Sequence, residues 1–109
     1  MDGRLPAHVE ISGLIRRTQA HGGFGVVIRK GERDAGTIIV LLTANGRNHR
    51  VFERMPQLDG DRKWALTKSE DVDSKDKIEE YLTRRGEQDS DLWIVELDIP
   101  DGERLVLNS

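Results

Sequence analysis

The chain has 109 residues, of which 36% are hydrophobic and 34% are charged, and it contains no cysteine. This length supports one domain with a modest core, and the missing cysteines exclude disulfides, thiolate nucleophiles and cysteine-ligated zinc. No stretch approaches the ~18 continuous apolar residues of a membrane span and the N-terminus has no apolar signal segment, so we expect a soluble cytoplasmic protein.

The first predicted element is a helix. Residues 1–7 are expected to form a loose arm, because Pro6 disfavours helix at the residue before it. The helix is predicted from Ser12, as N-cap, to His21, and Gly22 supplies the left-handed position that ends it. Val9–Ile11 also alternates like a strand, so the sequence leaves open whether these residues form a strand or belong to the helix. The apolar face of the helix consists of Ile11, Leu14, Ile15 and Thr18.

Two strand predictions follow the helix. Residues 24–29 are expected to form a strand with Phe24, Val26 and Ile28 on one face, and residues 30–36 have the composition of a turn. A hairpin is then predicted over residues 37–55, because Asn45 and Gly46 tolerate the positive φ of a type I′ turn. Residues 38–42 are apolar at every position, which indicates a central strand buried on both faces.

The second half of the chain completes an α+β pattern. Its predicted elements are, in order, a strand Arg62–Lys68, a helix Ser74–Gln88, a strand Leu92–Ile99 and a short edge strand Leu105–Leu107. In the first of these strands, Trp64 and Leu66 are expected to face inward. The sequence therefore predicts a single α+β domain over residues 1–109, with a largely antiparallel sheet of about five strands and two helices on one face.

The sequence indicates no catalytic residue, cofactor or metal ligand. Its three histidines lie on three different predicted elements, without the spacing that places two metal ligands on one helical face. Asp71, Asp73 and Asp76 are close together, but the position of the closing glutamate of an EF-hand holds Leu82. Glu53, inside the predicted third strand, is expected to pair with a cross-strand cation.

A cluster of cations and aromatic rings follows the central hairpin, and it is the one candidate binding surface in the sequence. Arginine beside aromatic rings on a sheet is typical of proteins that bind single-stranded RNA or DNA. Alternation opposes this function, because Arg50, Phe52 and Arg54 share one face of the strand, and a buried Phe52 would draw both arginines to the margin of the core. The candidate partner-binding or nucleic-acid-binding residues are Arg47, Arg50, Phe52, Arg54, Arg62 and Lys63.

Charge is divided unevenly along the chain. Residues 1–68 contain twelve Lys and Arg against seven Asp and Glu, whereas residues 69–109 contain five against thirteen. Such a division can mark nucleic-acid binding, but it more often means that the two parts fold together and neutralise one another. We favour the second interpretation.

Three segments in this order, LIRRTQAHGGFGVVIRKGERDAGTI, ERMPQLDG and DLWIVELDIPDGERLV, resemble a small bacterial family known only as a domain of unknown function. The resemblance covers nearly the whole chain. It implies a bacterial, cytoplasmic, single-domain protein, and it implies no activity, cofactor or site residue.

Three functional hypotheses remain from the sequence. The favoured one is a small non-catalytic intracellular interaction module that binds an unknown protein partner or forms a homo-oligomer, without a membrane. The first alternative is a single-stranded nucleic-acid module that uses the basic hairpin. The second alternative is a small enzyme whose histidine and carboxylate come together only in the folded chain.

Overall fold

The computed structural model describes residues 5–60 and 62–109, so residues 1–4 of the predicted arm lie outside the described part of the chain. Its elements are α1 Ala7–Ala20, β1 Phe24–Arg29, β2 Ile38–Ala44, β3 Arg47–Pro56, β4 Arg62–Ser69, α2 Lys75–Gln88, β5 Trp93–Asp98 and α3 Glu103–Leu107. The five strands form one sheet in the order β1-β5-β2-β3-β4. Only the β2–β5 pair is parallel, which confirms an α+β fold with a largely antiparallel sheet.

The centre of the sheet is the predicted hairpin. Residues 38–42 of β2 are all buried, so the prediction of a strand covered on both faces is confirmed. Asn45 and Gly46 both have positive φ, at 55° and 74°, as a type I′ turn requires. The hairpin therefore forms the axis of the fold, with β5 added beside β2 and β4 added beside β3.

Helix α1 covers one face of the sheet and begins earlier than the sequence indicated. Ala7 starts the helix and is buried, with its N–H donated to the Asp34 carbonyl at 2.9 Å. Proline is tolerated at the start of a helix, where an N–H has no helical partner, so Pro6 precedes α1 without preventing it. Val9–Ile11 is therefore helical, and the predicted N-cap at Ser12 is wrong.

Helix α2 covers the opposite face. Ser74 caps it by accepting the Lys77 N–H at 3.2 Å, and Ile78 and Leu82 pack in a core that contains Ile39 and Ile94. The prediction of both helices on one face is wrong, because α1 packs on the side of Ile38, Val40 and Leu42. Both faces of β2 and β5 are apolar, so both faces require a covering helix.

The two ends of the sheet also differ from the prediction. Residues 103–107 form the short helix α3, whose Val106 is buried in the α1-side core, instead of an edge strand. Leu66 on β4 is 53% exposed although it was predicted to face inward, while its neighbour Trp64 is buried. None of the described helices is long and apolar enough to cross a membrane.

Truncating the central strand should cost far more stability than truncating an exposed residue. We expect Leu41→Ala to lower the free energy of unfolding by roughly 2 to 5 kcal/mol, because it removes a buried side chain from the α2-side core. Lys63→Ala on the exposed part of β4 should change it by less than about 0.5 kcal/mol. Urea denaturation measures both, and equal shifts of the midpoint would contradict the central position of β2.

Candidate functional site

Strand β1 is an edge of the sheet with an apolar surface that no described element covers. It pairs with β5 on one side only. Phe24, Val26 and Ile28 are 58%, 46% and 54% exposed. Residues 24–28 contain no charged side chain. Edge strands without charged side chains pair readily with strands of other chains. We name the exposed side of residues 24–28 the β1 edge.

The opposite edge of the sheet is protected. Strand β4 carries Arg62, Lys63 and Lys68 within eight residues, and charged side chains on an edge strand oppose pairing with another chain. Leu66 is its exposed apolar residue between these cations. The contrast between the two edges indicates that the apolar character of β1 is a specific feature of that strand.

Glycines allow β1 to pack close against its neighbours, and they leave little side-chain volume on the α1 side of the strand. A Cβ at Gly25 would lie 2.9 Å from Leu97 Cδ2 and 3.0 Å from Ile15 Cγ1, so both of these side chains would have to shift. At Gly23 a Cβ would lie 2.6 Å from Ile99 Cβ. The turn into β1 is therefore restricted to glycine at position 23. The large side chain of Phe24 projects on the α2 side of the sheet, where Phe24 pairs with Asp98.

On the α2 side of the sheet, β1 lies beside a buried carboxylate, that of Asp98, and beside an open groove. Asp98 accepts the N–H groups of Asn45 and Gly46, both at 2.8 Å, and the hydroxyl of Thr43 at 3.0 Å. Burial opposes the charged form, but these hydrogen bonds outweigh it and lower the Asp98 pKa, so the carboxylate is ionised.

The groove lies between α2 and the sheet and has a volume of about 770 Å³. Leu41 and Ile94 line it from the sheet, and Ile28 and Arg29 line it from β1. Gly86 on α2 leaves the space that Arg29 occupies, since a Cβ there would lie 2.9 Å from the Arg29 Cδ. The β1 edge therefore continues into a partly apolar groove.

A histidine and a carboxylate meet at the far end of this groove. His49 is buried, lines the groove, and contacts the Glu70 carboxylate through its ring Nδ1. The same carboxylate accepts the His49 backbone N–H at 2.7 Å. These bonds lower the Glu70 pKa, the backbone bond first and the ring bond second. The pair thus ties the start of β3 to the residue after β4, which is a structural function.

The structure disperses the predicted nucleic-acid residues. Arg50, Phe52 and Arg54 project toward the α1 side, as their shared parity predicts. Phe52 is buried, so its ring cannot stack on a base. Arg50 pairs with Glu103 of α3, and Arg54 pairs with Glu10 of α1. Burial lowers the Arg50 pKa, although Asp101 and Asp71 raise it in part.

The remaining three cations are exposed but lie at opposite ends of the hairpin. Arg47 follows the β2–β3 turn, whereas Arg62 pairs with Pro56 at the other end of β3. Ten residues of strand separate these ends by roughly 30 Å. Lys63 lies beside Arg62, so the six residues do not form one surface, and nucleic-acid binding stays a prediction.

Glu53 is the centre of a second polar cluster on the α2 side. Its carboxylate accepts the hydroxyls of Thr67 and Tyr81, each at 2.6 Å, and pairs with Arg85. The expected cross-strand cation is therefore wrong, because the cation comes from α2. Burial by itself would raise the Glu53 pKa, but these hydrogen bonds and the charge of Arg85 lower it.

Comparison with known proteins gives a family and a shared fold. Residues 5–107 match DUF1491, described as a protein of unknown function. A crystal structure of a DUF1491 family protein from Caulobacter crescentus has 29% identity and a TM-score of 0.81, with 94% of each chain covered. The solution structure of Atu0922 from A. tumefaciens has 28% identity and a TM-score of 0.79, covering 95% of this chain and 93% of that one. A search of the curated proteins finds no match.

Removing the Glu53 charge should destabilise the fold in a pH-dependent way. We expect Glu53→Gln to cost roughly 1.5 to 3 kcal/mol at pH 7, because a buried ionic acceptor is lost. A lowered pKa stabilises the folded state above the usual value of 4.5, and that contribution is lost as the pH falls through the folded-state pKa. Urea denaturation should therefore show the wild-type advantage shrinking in acid. Glu80→Gln on the exposed side of α2 is the control, and a cost that does not vary with pH would contradict the assignment.

Proposed function

We propose, from the premise that the chain belongs to the DUF1491 family of proteins of unknown function, that it is a small non-catalytic interaction module. The observation that carries this proposal is the β1 edge, where three apolar side chains are about half exposed on a strand with one free side. A monomer exposes single apolar residues routinely, but a continuous apolar strand edge is typical of a binding surface.

The mode of binding that fits this edge is strand addition. An edge strand leaves alternate backbone N–H and C=O groups without a partner strand, and a bound extended segment supplies that partner. Phe24, Val26 and Ile28 then provide the side-chain contacts on the α2 side. The groove lined by Ile28 and Arg29 extends this contact surface toward α2.

The proposal places the module in the cytoplasm. A chain without cysteine is suited to a reducing compartment, and the resemblance to a bacterial cytoplasmic family supports the same location.

The two alternatives receive less support from the side chains. An RNA-binding sheet needs exposed rings beside free cations, and here Phe52 is buried while Arg54 is paired with Glu10. A general base needs a reachable substrate hydrogen. The one hydrogen-bonded histidine–carboxylate pair among the described residues, His49 and Glu70, also carries a backbone hydrogen bond that explains it structurally.

Photocrosslinking in the bacterial host tests the proposal. The photoreactive amino acid p-benzoylphenylalanine replaces Phe24 on the β1 edge in one variant and Leu66 on the β4 edge in the control. We expect irradiation to give a discrete adduct from the Phe24 variant and little from the Leu66 variant, because both residues are exposed and only one edge is unguarded. Mass spectrometry of the adduct identifies the bound segment. Equal or absent adducts at the two positions would contradict an interaction module that uses β1.

A further inference from the structure

We propose that the segment bound at the β1 edge is β1 of a second copy of this chain, in an antiparallel pair with Val26 on the two-fold axis. This inference rests on the proposed function and names its partner. Both copies contribute the same strand, so the interface is self-complementary, as two-fold symmetry requires.

The side chains of β1 fit their own antiparallel copy. With Val26 opposite Val26, Phe24 lies opposite Ile28, the extra residue of a β-bulge between Val27 and Arg29, so apolar side chains meet apolar side chains on the α2 side. On the α1 side, Gly25 lies opposite Val27 of the other copy. A Cβ at Gly25 would already clash with Leu97, and the glycine leaves room for the opposing valine.

The charges at the two ends of β1 favour the antiparallel direction. One end carries Arg29 and the exposed Lys30. The other end, at Phe24, lies beside the ionised Asp98 of β5, and Glu96 of the same strand pairs with Val26. An antiparallel pair places the cations of each copy at the negative end of its partner, whereas a parallel pair would place cation beside cation. The strand that the β1 edge accepts best is therefore one with the charge pattern of β1 itself.

The dimer would also satisfy the architecture of the sheet. Two five-stranded sheets joined through β1 give one sheet of ten strands, with β4 and its cations at both outer edges. Open twisted sheets reach about this size before they curl or split. The apolar edges would then be internal, and the protected edges external.

Cysteine crosslinking tests the register, because the natural chain has no cysteine. Directly opposite residues of an antiparallel pair have Cα atoms roughly 4.5 to 5.5 Å apart, within the range that a disulfide spans. We expect purified Val26→Cys to form a disulfide-linked dimer under mild oxidation, and Leu66→Cys on the other edge to form little. Phe24→Cys and Ile28→Cys should crosslink better when mixed than either does alone, since the proposed register places these two positions opposite each other.

A charge placed on the axis tests the same interface without oxidation. Val26→Lys brings two ammonium groups together in the dimer, and we expect it to raise the dimer dissociation constant by about tenfold or more. Light scattering over a range of concentrations measures this constant. Leu66→Lys is the matched control and should leave it unchanged, and circular dichroism checks that each variant is folded.

The outcomes separate this inference from the proposed function. A wild-type monomer at every concentration, with no excess crosslinking of Val26→Cys over Leu66→Cys, would overturn the dimer. If the Phe24 photoadduct then contains another protein, the interaction module stands with a different partner. If a dimer forms but Val26→Cys does not crosslink it and Val26→Lys does not raise its dissociation constant, β1 is not its interface. The inference is then equally overturned. Selective Val26 crosslinking together with dissociation by Val26→Lys supports it.

Discussion

The parallel pairing of β2 with β5 is the constraint on which the rest of the structure depends. It inserts the last strand between the first two strands and extends from Ile38, opposite Trp93, to Thr43, opposite Asp98. Backbone hydrogen bonds continue the pair at both ends, from Trp93 to Thr37 at 2.8 Å and from Ile99 to Thr43 at 2.9 Å. Because β5 occupies the position beside β2, β1 can pair only with the outer side of β5 and becomes an edge.

The same insertion joins the basic and acidic parts of the chain. The acidic C-terminal part supplies α2, β5 and α3, and two of its helices pair with arginine or carboxylate partners from β3: Glu103 with Arg50, and Arg85 with Glu53. In the first pair the basic part of the chain supplies the cation, and in the second pair the acidic part supplies it. Arg50, one of the cations that resemble a nucleic-acid surface in the linear sequence, is thereby used inside the fold.

The local elements of this fold were largely predictable, whereas their spatial order was not. The hairpin turn at Asn45 and Gly46 and the extent of β1 follow from residue chemistry within a few positions, so the sequence predicts them well. Strand order depends on contacts between residues more than fifty positions apart, such as Val40 with Val95, and one sequence does not specify them. The wrong placement of both helices on one face has the same origin, because apolar runs on β2 and β5 do not say which helix covers which side.

The β1 edge was missed for a related physical reason. Alternation placed Phe24, Val26 and Ile28 on one face, which usually indicates burial, but exposure depends on whether α2 reaches that part of the sheet. The informative signal was the lack of any charge from Phe24 to Ile28, in contrast to the cations of β4. Glu53 shows the complementary case, because the sequence predicted an ion pair for this carboxylate without identifying Arg85 on another element as its partner.

Hydrogen–deuterium exchange of the purified chain at low and high micromolar concentration measures whether β1 docks against β1 of a second copy. Amides that gain a partner strand exchange more slowly, and those of a permanently free edge do not. We expect deuterium uptake by residues 24–29 to slow as the concentration rises, while uptake by residues 62–69 of β4 stays constant. Uptake by residues 24–29 that does not depend on concentration, or slowing at both edges alike, would contradict this docking.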